Sequence, residues 1–185
     1  MSDPVSALNG ASFDGFASIR EIGPLGMISL RCDLADQLLP AAIKSTIGTK
    51  LPSPRRIEVK DGKSAGWMSP DELLLILPYN DVAKAMETLG KKLKSIHHLA
   101  VDVSDARAVF RITGSKADDV LMKLSPVDFA NLAPGELRRT RVAQVAAAFW
   151  KDTEGYTLVS FRSVAGYVMG LLEHSVQSGS DLQLR

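Results

Sequence analysis

Apolar residues alternate with polar ones over some stretches of the chain, recur every three or four positions over others, and form one unbroken run. Alternation from Ile28 to Cys32 predicts a strand. A helical stretch follows, roughly Ala35 to Ile47, with Pro40 inside it. An interior proline costs roughly 3 kcal/mol, so this helix either begins near Pro40 or is kinked there. Next come strands over Arg56 to Lys60 and Ala65 to Met68, with a turn through Ser69-Pro70-Asp71-Glu72. The run Leu73-Leu74-Leu75-Ile76-Leu77 has the character of a strand buried on both faces. A helix capped by Asn80 or Asp81 then carries Val82, Met86, Leu89, Leu93 and Ile96 as a single stripe. Lys91, Lys92 and Lys94 gather at its C-terminal end, where the helix dipole favours cations.

The same order returns in the second half. Leu99 to Val103 and Ala108 to Ile112 are predicted strands, and Ser115 to Asp118 has the form of a capping box opening a short helix. Arg138 to Trp150 is expected as one long strand, Lys151 to Gly155 as a turn, and Tyr156 to Phe161 as the antiparallel return. Ser163 is the expected cap of a last helix bearing Val164, Val168, Leu171 and Leu172. A shift of 82 positions lays Asp36 on Asp118, Leu39 on Leu121 and Arg56 on Arg138. The same shift lays Trp67 on Phe149 and Val82 on Val164. The expected fold is therefore α+β: two split ferredoxin-like βαββα halves related by an internal repeat, with antiparallel sheets and helices packed on them. Residues 16–97 form the first lobe and 98–177 the second. Residues 1–15 are expected to be a poorly ordered N-terminus and 178–185 a flexible tail.

Composition narrows the class of partner. The 185 residues are 45% hydrophobic and 23% charged, enough apolar surface for a core without disulfide or metal staples. With 22 basic and 21 acidic residues the net charge is +1, which supplies no field to steer nucleic acid or an anionic membrane. Cys32 is the single cysteine, so no intrachain disulfide forms. The opening MSDPVSALNGASFDG lacks a basic start and an apolar core and so does not have the form of a secretory signal. The longest apolar run falls far short of the ~20 residues of a membrane helix. A cytoplasmic location follows as the expectation.

Candidate chemistry is sparse. His97 and His98 are adjacent and lead into a strand, so their side chains point to opposite faces and do not converge on one metal. His174 suits the end of the last helix. Cys32 lies far in sequence from any histidine and is expected as a buried small hydrophobe. Ser45 to Lys50 lacks the first glycine and the Gly-Lys end of a phosphate loop, which leaves Gly48 as a helix C-terminal glycine. Gly23 to Gly26 lacks dinucleotide-loop spacing. The acidic pairs Asp71-Glu72 and Asp118-Asp119 fall at a turn and a helix start, where solvated carboxylates belong. Arg138, Arg139 and Arg141 form a local basic cluster, with Arg139 and Arg141 on one face of a strand and no stacking aromatics among them. No catalytic, cofactor or metal residues are assigned.

Two strings are familiar in combination. Phe161-Arg162-Ser163-Val164-Ala165-Gly166-Tyr167, after an Arg-Thr-Arg strand and a hairpin, and Gly66-Trp67-Met68-Ser69-Pro70-Asp71-Glu72 in the first copy, resemble the gamma subunit of heterotetrameric sarcosine oxidase. The resemblance runs from about Ile19 to Glu173. It implies a non-catalytic subunit with the folate-binding-like fold of aminomethyltransferases. Its partners would be alpha, beta and delta subunits, chiefly alpha. The whole complex would oxidise sarcosine to glycine, pass the one-carbon unit to tetrahydrofolate and release peroxide. FAD, FMN, NAD, zinc and tetrahydrofolate are implied for the other subunits. Binding energy concentrates in Trp, Tyr and Arg, so Trp150 with Arg139 and Arg141 is the expected partner surface, the alternative being that Trp67 and Trp150 both fold onto their own helices as core. Two alternatives stand beside this: a folate-binding protein using Asp102 or Glu58 on the pterin, and a small-ligand regulatory module.

Overall fold

The computed structural model describes residues 3–182. In chain order its elements are β1 (Ser12–Asp14), β2 (Ser18–Ile22), β3 (Leu25–Cys32), α1 (Leu39–Ile47), β4 (Ile57–Lys60), β5 (Lys63–Ser69), β6 (Glu72–Pro78) and α2 (Val82–Lys92). They continue with β7 (His98–Asp102), β8 (Arg107–Thr113), α3 (Ala117–Met122), β9 (Leu137–Val142), β10 (Val145–Lys151), β11 (Gly155–Phe161) and α4 (Ala165–Ser175). All strand pairs are antiparallel.

The chain divides into two units. Pro24–Ser104 forms one, and the chain up to Gly23 joins the chain from Asp105 onward to form the other. In the contiguous unit the sheet runs β4-β5-β6-β3-β7, and in the discontinuous one β1-β2-β8-β11-β10-β9. Read from one end, β4-β5-β6-β3 and β9-β10-β11-β8 are the same arrangement, so the repeat is present in the strand order. Each unit also takes a strand from outside its own copy. β2, within the first lobe's bounds, pairs with β8, and β7, within the second's, pairs with β3. The boundary at 97/98 drawn from the sequence thus leaves β7 apart from the sheet it completes, and β2 likewise at 16.

Helices cover one face of each sheet. Ile28, Leu30, Leu73, Leu75 and Leu77 meet Leu39, Ile43, Val82 and Leu89 in the core of the contiguous unit. In the other unit Phe110, Ile112, Tyr156 and Leu158 meet Val120, Leu121, Val168 and Leu172, with Phe129, Phe149 and Tyr156 ring on ring. β6 is buried from Glu72 to Leu77, as its unbroken apolar run implies.

Local chemistry differs from expectation at several ends. α1 starts at Leu39 with Pro40 in its first turn, where the missing N–H costs nothing, and it ends on Gly48 in the left-handed region. The long strand expected over Arg138 to Trp150 is two strands, broken by a turn with Ala143 at φ 51. Each half therefore carries three consecutive strands between its two helices. None of the expected side-chain caps forms. Asp81 pairs with Lys63 at 3.1 Å instead. Asp118 accepts from Tyr156 and Lys151, and Val164 rather than Ser163 stands at the start of α4. Gly155 has φ 147, and a Cβ there would lie 2.1 Å from the Ile112 carbonyl oxygen, so only glycine opens β11.

Both terminal regions are tied down where they are described. The Glu21 carboxylate accepts from Ser6 Oγ at 2.8 Å, Leu8 N at 3.1 Å and Gly10 N at 2.8 Å, and β1 pairs with β2. At the other end Lys123 donates to the Ser175 and Ser180 carbonyls, Asp181 pairs with Lys116, and Leu182 N donates to Asp119. The expected looseness of 1–15 and 178–185 does not hold for these residues; residues 1–2 and 183–185 lie outside the described range.

Candidate functional site

Ladder geometry decides which predicted residues meet. Leu73 in β6 and Tyr156 in β11 hold equivalent places, and the helices confirm the match: Met86 corresponds to Met169 and Leu89 to Leu172, a shift of 83 rather than 82. Val82 therefore matches Ala165, the first residue of its helix, and not Val164. Trp67 pairs with Leu73, and Lys151 with Tyr156, so Trp67 matches Lys151 and Ala65 matches Phe149. The irregularity between Trp67 and Ser69 contributes to this slip. The two tryptophans are consequently not equivalent. Trp67 lies on the helix-covered side against its core, and Trp150 lies on the opposite face of its own sheet.

Trp150 is only 7% exposed, so its indole is not presented as an exposed anchor. Arg139 and Arg141 are exposed and share one face of the edge strand β9, opposite Ala148 and Ala146. Arg138 points to the other face and pairs with Glu136 at 2.7 Å. Across the sheet, on β8, Arg111 forks onto Asp152, at 2.5 and 3.2 Å, and donates to Thr157 at 2.8 Å. Burial pushes the Asp152 carboxyl up, but Arg111 and the Glu154 and Gly155 amides more than offset it and hold it below the usual carboxylate range. Arg162, within the string that carries the resemblance, donates to the Val5 and Ser6 carbonyls and so fastens the N-terminal segment.

In the contiguous unit the end of β3, the β5–β6 turn and the start of β7 enclose an open groove of about 620 Å³, lined by Arg31, Cys32, Asp33, Asp36, Asp71 and His97 among others. Arg31 bridges Asp71 and Glu72, each at 3.0 Å, and Ser29 donates to Glu72 at 2.9 Å. The Ser69 hydroxyl and then Arg31 hold Asp71 below the usual carboxylate range. Cys32 stands opposite His98 across the β3–β7 ladder, a juxtaposition no sequence spacing signals because β7 comes from beyond the first copy. Burial pushes the Cys32 thiol up, and Asp33, Asp36 and Asp71 push it further. That environment opposes thiolate formation, the reverse of what a nucleophile needs. His98 Nδ1 lies 3.1 Å from the Ile96 carbonyl oxygen, and His174 is exposed in the last turn of α4.

The two carboxylates offered as alternatives for a pterin lie far apart. Glu58 is on β4 and Asp102 on β7, at opposite edges of one sheet, four strand spacings or roughly 19 Å apart. Asp102 is occupied locally, accepting from Ser104 N at 3.0 Å and Ser104 Oγ at 2.5 Å. Among the described residues no three His, Cys, Asp or Glu side chains are gathered to hold a metal ion, and no helix is long and apolar enough to cross a membrane.

The fold has solved counterparts. A heterotetrameric sarcosine oxidase from Corynebacterium sp. U-96, solved with pyrrole 2-carboxylate, contains a chain matching with a TM-score of 0.81 at 21% identity, over 94% of this chain and 91% of that one. Aminomethyltransferase T of the glycine cleavage system from Bartonella henselae matches with a TM-score of 0.66 at 10% identity, over 89% of this chain and 48% of that one. At these identities the likeness is one of fold. No curated protein sequence matches. Residues 31–177 match the profile of the sarcosine oxidase, gamma subunit family, and on that span this chain belongs to that family.

Proposed function

We propose that the chain is a non-catalytic subunit of a heterotetrameric sarcosine oxidase. In this reading it assembles with alpha, beta and delta subunits, chiefly alpha, in the cytoplasm. The complex oxidises sarcosine to glycine, releases peroxide and passes the one-carbon unit to tetrahydrofolate, with FAD, FMN, NAD and zinc held by the other subunits. The observation that carries the reading is the family match over residues 31–177. Its support in the site is chemical. The groove thiol is held protonated, and Arg31 is engaged by two carboxylates. We place the partner surface on the exposed Arg139 and Arg141 side of β9. Trp150 backs the same sheet face from a buried position.

The test is co-expression with the other three subunits of the same source and purification through a tag on this chain. The expected result is a stoichiometric complex with flavin absorbance and sarcosine-dependent peroxide, while the chain purified alone is colourless and inactive. Failure of the wild-type chain to co-purify, or flavin and peroxide from the chain alone, overturns the proposal.

A further inference from the structure

The two sheets are built alike except at one edge. Leu30 pairs with Leu73 and Ala100, as Ile112 pairs with Tyr156 and Ile19. With Leu73 equivalent to Tyr156, β7 is the counterpart of β2: Leu99 matches Ser18, Ala100 matches Ile19, Val101 matches Arg20 and Asp102 matches Glu21. Outside β2 lies β1, and the segment before it wraps Glu21, which is 4% exposed. Outside β7 no strand lies among the described residues, and Asp102 is exposed.

The side chains change in the opposite sense to what an open edge requires. Where the covered strand has Ser18 and Arg20, the open strand has Leu99 at 56% exposure and Val101 at 41%, two residues apart on one face. An edge with unpaired backbone groups and exposed apolar side chains is a template for another strand, and natural sheets normally blunt it with charge, proline or a covering segment. Beside Leu99 lies the groove, where Asp33 and Asp36 spend their hydrogen bonds on turn amides and Asp71 already faces Arg31. Three carboxylates against one guanidinium leave that end of the edge negative.

We propose that the open edge of β7 is completed by an extended segment of another subunit, occupying the place that β1 fills in the sister sheet. Its chemistry is set by what it meets: apolar side chains at alternate positions over Leu99 and Val101, and a lysine or arginine at the end that reaches the groove. This rests on the subunit reading above.

The experiment compares backbone hydrogen exchange of residues 98–102 in the isolated full-length chain and in the assembled oxidase. We expect exchange there to slow by about tenfold or more on assembly. The double variant Leu99→Lys, Val101→Lys changes two exposed side chains, so it should keep the wild-type melting curve yet lose about tenfold or more in assembly. Unchanged exchange at β7 in an intact complex overturns the inference and leaves the subunit reading standing. Failure of the wild-type chain to assemble removes both. Protection of β7 that appears in the isolated chain, with doubling of its mass in sedimentation, assigns the edge to a second copy and overturns the partner assignment.

Discussion

Trp150 shows how one register step changes a residue's role. Its position near a hairpin suggests an exposed anchor, but the β10–β11 ladder sets it opposite Thr157, on a face where Ala148 and Val159 are also buried. Trp150→Ala should therefore unfold the isolated chain more readily, by about 3–5 kcal/mol in urea denaturation, the usual cost of deleting a buried large aromatic. An unchanged midpoint would return the indole to the surface. Asp152 makes a second residue-level case. Its carboxyl titrates below the unfolded value, so the stability it adds is present above about pH 4 and is lost as pH falls through the depressed folded value. Stability of Asp152→Asn should lie below wild type at neutral pH and converge with it in acid. Parallel pH curves would show that the Arg111 fork contributes nothing. The Asp152 role was not legible beforehand, because Arg111 and Asp152 are 41 residues apart and meet only through the β8–β11 pairing.

At the scale of elements the alternating and periodic patterns located every strand of the two repeats, though they merged β9 with β10 because Val142, Ala143 and Val145 continue the apolar character. Caps failed for a different reason. Asp81 and Asp118 have the right residue type at helix starts, but a lysine from a distant strand, and for Asp118 a phenol as well, outcompetes the local amides. Partner choice misplaced β7, since pattern shows that a strand exists and not which sheet receives it, while β2 was not read as a strand and fell inside the first lobe's bounds. This gives a fragment test. Residues 24–104 hold a complete five-stranded sheet and should give a dispersed amide spectrum and a cooperative melt. Residues 16–97 lack β7, expose the edge of β3 and carry β2 without its partner β8, so they should melt lower or aggregate. Equal stability of the two fragments would mean that β7 adds nothing to the sheet.

For the whole molecule, a net charge of +1 supplies no long-range field, so under the proposed function assembly rests on the placement of faces and edges. Arg139 and Arg141 stand exposed, so reversing both to glutamate should leave the melting curve of the isolated chain within a few degrees. Under the proposed function the same change should reduce the yield of the co-purified oxidase. Normal assembly of that variant would move the alpha-facing surface away from β9.

The sequence by itself determined the α+β class, the doubled order of elements, the buried character of β6 and the family, because these follow from local periodicity and from residues close together along the chain. Only the tertiary structure decided the exchange of β2 and β7, the shift of 83, the burial of Trp150, the pairing of Cys32 with His98 and the uncovered edge beside Leu99 and Val101. Each of these depends on which strands hydrogen-bond across long separations. A ladder can slip by one residue without altering local pattern, yet it turns every side chain to the other face.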